Sequence, residues 1–172
     1  LKLLFWQGPT LLNPHFGIGA KDQEGARLFY EPLARFDPDG NLVPVLAAEI
    51  PSRANGGIAA DGRSTVWKLK KSVRWHDGRP FTADDVVYTF QLLKKNPALD
   101  LNANWSVLKS VKQNGDKVVF DFKSAAVPYF YYIADQTPIV AKHIWTTIKN
   151  PTTYKDEHPV GTGPFAMSSC SP

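Results

Sequence analysis

The sequence predicts an α+β fold, a mixed or antiparallel sheet with a few helices. Two stretches carry that expectation. Ser64–Phe90, STVWKLKKSVRWHDGRPFTADDVVYTF, places a strand, a turn and a capped helix in succession. Trp105–Lys112 and Lys117–Lys123 flank Asn114-Gly115-Asp116, and each alternates apolar with polar residues as the arms of a half-buried hairpin do. Between these stretches lie turn-rich connections, and no internal repeat is visible.

Within the first stretch, Thr65–Lys70 reads as a strand because Trp67 and Leu69 alternate with Lys68 and Lys70. His76-Asp77-Gly78-Arg79-Pro80 is turn chemistry: Gly78 supplies positive φ, and Pro80 keeps Arg79 out of the helical region. Thr82 offers an N-cap hydroxyl, Asp85 stands where a capping-box acid belongs, and Asp84 adds negative charge to the first turn. A helix is therefore expected from about Ala83. It buries Val86, Val87, Phe90 and Leu93, with Leu92 at the edge of the stripe, and ends at Lys94-Lys95 before Asn96-Pro97.

Leu1–Trp6 is expected to form a buried first strand leading into a turn-rich loop, Gly8 to His15. Gln23–Leu33 has Ala26, Phe29, Tyr30 and Leu33 at helical spacing, with Pro32 marking its end. A strand is expected around Ala48–Ser52, after the Asp37–Asn41 turn. Val127–Ile133, with three tyrosines and a phenylalanine, is expected to be dominated by aromatic burial. Ile139–Ala141 reads as a short strand or connection, His143–Ile148 as a helical turn and Lys149–Pro159 as a polar linker. Gly161-Thr162-Gly163 reads as a tight loop feeding a strand.

At 172 residues, with 43% hydrophobic and 21% charged, the chain can bury a core of ordinary size. No apolar run approaches the ~20 residues of a transmembrane helix. The opening at Leu1 rather than at an initiator Met implies a start that has been processed or trimmed, where any export signal would already be gone, so the absence of a signal is uninformative. A single cysteine, Cys170, excludes an intrachain disulfide and leaves the redox compartment open. The net charge of +4 is concentrated around one hairpin, at Arg63, Lys68, Lys70, Lys71, Arg74 and Arg79. A solvated strand face accounts for it, with an anion-binding or nucleic-acid-binding surface as the rival reading.

Other pairings invite chemistry and have simpler explanations. His76-Asp77 could be a hydrolase pair, but neighbours in a turn rarely face one substrate and no G-x-S-x-G signature is present. Asp84-Asp85 could be an acid pair, yet capping explains both. His15, His76, His143 and His158 lack metal-ligand spacing, so no metal site and no cofactor are expected. Gly161-Thr162-Gly163 lacks the lysine and the following helix of a phosphate loop. Tyr129, Phe130, Tyr131, Tyr132 and Trp145 could stack on bases, but core packing is the commoner use.

Three separated motifs agree with one family. Leu42-Val43-Pro44 with Leu46-Ala47-Ala48-Glu49, then WKLKKSVRWHDGRPFTADDVVYTF from Trp67 to Phe90, then VGTGPF from Val160 to Phe165 resemble the extracellular solute-binding proteins of family 5. LNPH from Leu12 to His15 resembles the family's segment after its first strand. These are the peptide, oligopeptide and nickel receptors of ABC importers. The resemblance implies the first lobe of a two-lobe periplasmic-binding-protein-like fold, type II, of the larger class with an inserted sublobe. Residues 1–35 and 160–172 would belong to the main sublobe and 36–159 to the insert, with the second lobe absent. The terminal SSCSP departs from the strand the family continues into.

The same resemblance implies a monomeric periplasmic or extracellular receptor, possible as a lipid-anchored form, whose chemistry is binding rather than bond breaking. It would capture a peptide or similar small solute, with a nickel chelate as possible cargo, for a membrane permease, and would involve no nucleic acid. Gly8, Pro9 and Thr10 are the expected cleft-lining residues, with Trp105 a further one. Trp67, His76, Asp77, Gly78, Thr82, Asp85, Gly161 and Gly163 are expected to be structural.

Overall fold

A computed structural model describes residues 7–169. The expected first strand, Leu1–Trp6, and Cys170 lie outside the described residues. Two antiparallel sheets and a few helices form the body, as expected. Helix α1 spans Ala20–Ala26, and strands β1 (Ala34–Phe36) and β2 (Leu42–Pro44) pair around the Asp37–Asn41 turn. Asp37 organises that turn by accepting the Asn41 N–H at 2.8 Å and the Asp39 N–H at 3.0 Å.

The second sheet has the order β3-β5-β4, built from β3 (Ser64–Lys68), β4 (Leu108–Asn114) and β5 (Lys117–Phe122). Trp67 stands opposite Val118 and Thr65 opposite Phe120, while Val111 also faces Phe120. All five are buried, so the alternation in the sequence maps onto one core face. Leu69 extends that face through a bridge to Ala47.

Helix α2, Ala83–Lys95, lies across this face. Thr82 and Asp85 make the reciprocal capping box, with the Thr82 N–H donating to Asp85 Oδ2 at 2.9 Å. Val86, Phe90 and Leu93 are buried as the periodicity requires, and Phe90 meets Phe120 edge-to-face with ring centroids 4.9 Å apart. Val87 is only half-buried, because the buried stripe turns toward Thr89 and Leu92.

Asp85 does more than cap. Its Oδ1 accepts the Lys142 N–H at 3.0 Å, and one turn later the Thr89 hydroxyl accepts the Val140 N–H at 3.1 Å. Within the fully buried segment Ile139–Ala141 the Val140 donor is thus satisfied by a helix side chain, while the Ile139 N–H donates to Glu31 O at 3.0 Å. Short helices α3 (Asn104–Val107), α4 (Phe130–Asp135) and α5 (Lys142–Trp145) complete the fold.

Several expectations are corrected. Helix α1 starts earlier than Gln23 and ends at Ala26; Phe29, Tyr30 and Leu33 are buried but non-helical, since the chain must leave the helix to pass beneath residues 161–163. Ala48–Ser52 forms no strand, and the strand lies instead at Leu42–Pro44. Trp105 belongs to α3, not to the hairpin, because Asp100 caps that turn, accepting the Asn104 and Trp105 N–H groups at 3.0 Å each. Tyr129, Tyr131 and Tyr132 are 39–42% exposed, so aromatic burial does not dominate there; Ile133 and Ala134 supply the buried contacts.

Lys149–Pro159 is no free linker. Asn13 donates its amide to the carbonyls of Pro151 (3.1 Å) and Tyr154 (2.8 Å), and Leu12 N–H donates to Lys155 O at 2.8 Å. Buried Asp156 accepts the hydroxyls of Tyr30 and Tyr154. The residues after Gly163 form no strand up to Ser169.

The double duty of Asp85 separates two substitutions. Thr82→Ala is expected to cost about 1 kcal/mol, the usual loss of a cap. Asp85→Ala also orphans the buried Lys142 N–H and is expected to cost about 2 to 3 kcal/mol. Urea denaturation of both variants checks this, and equal midpoints would leave Asp85 with the cap alone.

Candidate functional site

The segment Gly8–Thr10 is exposed and fixed to the N-terminal turn of α1. Thr10 N–H donates to Asp22 Oδ1 at 2.6 Å, and its hydroxyl lies 3.1 Å from the same oxygen. Lys21 Nζ donates to Gly8 O at 3.1 Å and to Thr10 Oγ1 at 3.2 Å. Burial works to raise the Asp22 carboxyl, but the Thr10 N–H and hydroxyl, the Leu11 N–H and the Lys21 ammonium outweigh it and hold it below the ordinary carboxylate value. A fixed anion therefore sets the path of residues 8–11.

The other end of α1 borders a cavity of about 60 Å³. Gln23, Ala26 and Arg27 line it from the end of α1, Asp100, Leu101, Asn102 and Asn104 from the stretch between α2 and the start of α3, and Asp135 to Pro138 from the end of α4 onward. Side-chain bonds stitch these pieces together. Asn102 Nδ2 donates to Gln136 O at 3.0 Å, Asn104 Nδ2 to Thr137 Oγ1 at 3.2 Å, and Arg27 Nη2 to Gln136 Oε1 at 3.4 Å. The result is a polar wall built from three chain segments far apart in sequence. The space it encloses admits only a few water molecules, so the wall can meet a polar solute only at its open rim.

His15 closes the base of this wall. Its ring is buried and meets Trp145 edge-to-face at 6.4 Å. Burial pulls its pKa down from 6.5 to about 4, against a smaller opposing effect of the Pro138 carbonyl. Its Nε2 has no hydrogen-bond partner among the described residues.

The expected site residues fall into separate places. Gly8, Pro9 and Thr10 stand beside the N-terminal end of α1 rather than in the cavity. Trp105 is half-buried between the two hydrophobic clusters; its Nε1–H donates to Phe90 O at 2.7 Å, and Lys94 Nζ sits 4.4 Å from the ring centroid. Sequence reasoning missed the cavity wall, because isolated Asn, Gln and Arg residues carry no spacing signature. Asn13 and His15 of the LNPH segment were the nearest signal.

His76 and Asp77 do not form a pair. Asp77 accepts from His143 Nε2 at 2.7 Å and from Arg79 N–H at 3.1 Å. His76 turns the other way, onto Gly161 and Gly163. Both imidazole nitrogens of His76 are thereby occupied by backbone groups. On the basic hairpin, Lys68 pairs with Glu49 at 2.7 Å and Arg74 donates to Gly78 O at 2.8 Å, so part of its charge is answered locally. Among the described residues no group of three or more His, Cys, Asp or Glu could hold a metal ion, and no helix is long and apolar enough to cross a membrane.

Over residues 41–172 the chain matches the bacterial extracellular solute-binding proteins, family 5 middle, and it belongs to that family. It is 31% identical over 91% of its length to the oligopeptide-binding protein AppA of Bacillus subtilis, covering 29% of that protein. The solved structure of AppA, in complex with a nonapeptide, superposes with a TM-score of 0.81 over 95% of this chain and 32% of AppA at 27% identity. A periplasmic oligopeptide-binding protein of Thermotoga maritima gives a TM-score of 0.83 at 31% identity, over 97% of this chain and 30% of its own. NikZ from Campylobacter jejuni, solved with Ni(L-His), gives 0.79 at 27% identity, over 96% and 32%. The chain thus spans about a third of the length of these relatives or less.

The buried neutral His15 makes stability depend on pH. Its folded pKa lies below the unfolded value, so the unfolded chain binds the extra proton. Stability is then lost as pH falls from about 6.5 toward 4, by up to about 3 kcal/mol. Urea midpoints at pH 7 and pH 5 are expected to differ clearly in the unsubstituted chain and much less in His15→Leu. An equal drop in both would remove His15 as the cause.

Proposed function

We propose that this chain supplies one wall of a receptor that captures peptides or similar small solutes for the membrane permease of an ABC importer. The observation that carries the reading is the three-segment polar wall in a chain of the solute-binding family. The relatives' complexes with a nonapeptide and with Ni(L-His) support a small polar solute as the cargo class. The receptor is a periplasmic or extracellular monomer, lipid-anchored or free, and it binds without breaking bonds.

Residues 8–10 and Trp105 are the further cleft positions of this reading. Gly8, Pro9 and Thr10 are exposed beside α1, and with Gly8 O and the Thr10 N–H held by Lys21 and Asp22 they offer a solute a fixed surface rather than a free strand edge. Trp105 contributes a ring surface, since its N–H is already committed to Phe90 O. Residues 36–159 act as the inserted sublobe, and residues 1–35 and 160–172 as parts of the main one.

A closing cleft draws affinity from both walls and from excluding water. Removing one wall costs on the order of 4 kcal/mol, about a thousandfold in affinity. Calorimetric titration with a di- to pentapeptide library of alanine, leucine and lysine tests this. A receptor as long as the relatives is expected to bind members of the library, and the 172-residue chain far more weakly. Sub-micromolar binding by this chain alone would contradict the two-wall reading, and no binding by the longer receptor would remove peptides as cargo.

A further inference from the structure

The HDG turn and the GTG loop are joined by one imidazole. His76 N–H donates to Gly161 O at 2.9 Å, and Gly161 N–H donates to His76 Nδ1 at 3.2 Å. With Nδ1 accepting, the proton sits on Nε2, which donates to Gly163 O at 2.8 Å. The ring thus grips both glycines, and the tautomer is fixed by what the two glycines offer.

Gly163 passes the grip on. Its N–H donates to Phe29 O at 2.8 Å, while the N–H groups of Phe29 and Tyr30 donate back to Ala26 O at 3.0 and 2.9 Å. Ala26 and Arg27 line the cavity. On the far side of the same segment, Glu31 O accepts the Ile139 N–H at 3.0 Å, just after Thr137 and Pro138 of the opposite wall. Residues 29–31 therefore hold two sides of the cavity at once, and His76 sets where they lie.

We propose that His76 is a positioning residue for the cavity wall, acting through Gly163 and Phe29 on Ala26 and Arg27. It touches no cavity space itself. The cavity wall is rigid to the degree that the crossing is rigid, because every link beyond the imidazole is a backbone hydrogen bond with no side-chain slack.

The test is amide hydrogen exchange on the chain carrying His76→Phe, His76→Asn or His76→Gln, with Thr82→Ala as a control that costs stability elsewhere. His76→Phe keeps a ring without its nitrogens, His76→Asn keeps an acceptor near Nδ1 but not the reach to Gly163, and His76→Gln keeps a donor and an acceptor at similar reach. Exchange at Gly163, Arg27, Phe29 and Tyr30 is expected to rise about tenfold in the Phe variant, or in the Asn variant should Phe fail to fold, beyond the rise in Thr82→Ala. The Gln variant recovers part of that. Equal exchange in the His76 variants and Thr82→Ala, compared at equal global stability, would overturn the proposal.

An affinity arm rests on the peptide-receptor reading above, and the exchange arm does not. In the longer receptor, binding of the alanine, leucine and lysine peptide library is expected to weaken about tenfold in the His76→Asn variant and to stay unchanged in Thr82→Ala. An unchanged affinity with accelerated exchange would confine His76 to the wall's backbone and refute its effect on capture. No binding by the unsubstituted receptor refutes the peptide reading alone.

Discussion

The rest of the structure depends on the crossing of residues 161–163 over the backbone of Phe29. A Cβ built at Gly161 would stand 1.8 Å from Phe29 O, and one at Gly163 would stand 2.7 Å from it. No side chain of any kind fits there, so the requirement for glycine is one of space. That contact closes a loop of more than a hundred residues and brings the HDG turn, the end of α1 and the returning chain into one place. Gly78, at φ +85°, bends the turn so that His76 can reach the crossing from below.

Around this crossing the protein meets its backbone hydrogen-bonding needs with side chains wherever regular structure runs out. Asp85 and Thr89 serve the buried Val140–Lys142 backbone, Asn13 serves the 151–154 segment, and Asp100 serves the start of α3. Each is a short polar side chain, buried or half-buried, in contact with a segment far away in sequence or with its own turn. This explains how a chain with little sheet and few long helices stays ordered over long connections. The same device shapes the cavity, where Asn102, Asn104 and Arg27 bind the segment after α4.

What the sequence disclosed follows from this division. Helix α2 and the β4–β5 hairpin were legible because local periodicity, capping chemistry and a turn tripeptide all agree with their tertiary burial. The motifs around His76 and Gly161 were legible only through resemblance to a family, and nothing local shows that one ring binds both. Trp105 misled because its position continues the alternation of β4, while Asp100 captures its N–H into a helical turn. The tyrosines of α4 misled because aromatic content forecasts burial only where a facing element exists, and here Phe36, itself exposed, is the neighbour, with ring centroids 4.9 Å from Tyr131. The cavity wall was illegible because its polar residues come from three segments whose meeting is fixed by long-range contacts.

For the proposed function, a tight crossing beneath a polar wall suits a receptor. The wall must keep its shape without ligand if binding is not to be weakened by the entropy of ordering three loops. Buried neutral His15 and the clamped His76 both pack within that scaffold. The most direct test of the crossing is the chemical stability of Gly161→Ala against Gly8→Ala, whose Cβ would meet nothing within 4 Å. We expect Gly161→Ala to lose more than about 3 kcal/mol or to fail to fold, and Gly8→Ala to stay within about 0.5 kcal/mol. Equal, small losses at the two positions would contradict the crossing as the constraint on which the fold depends.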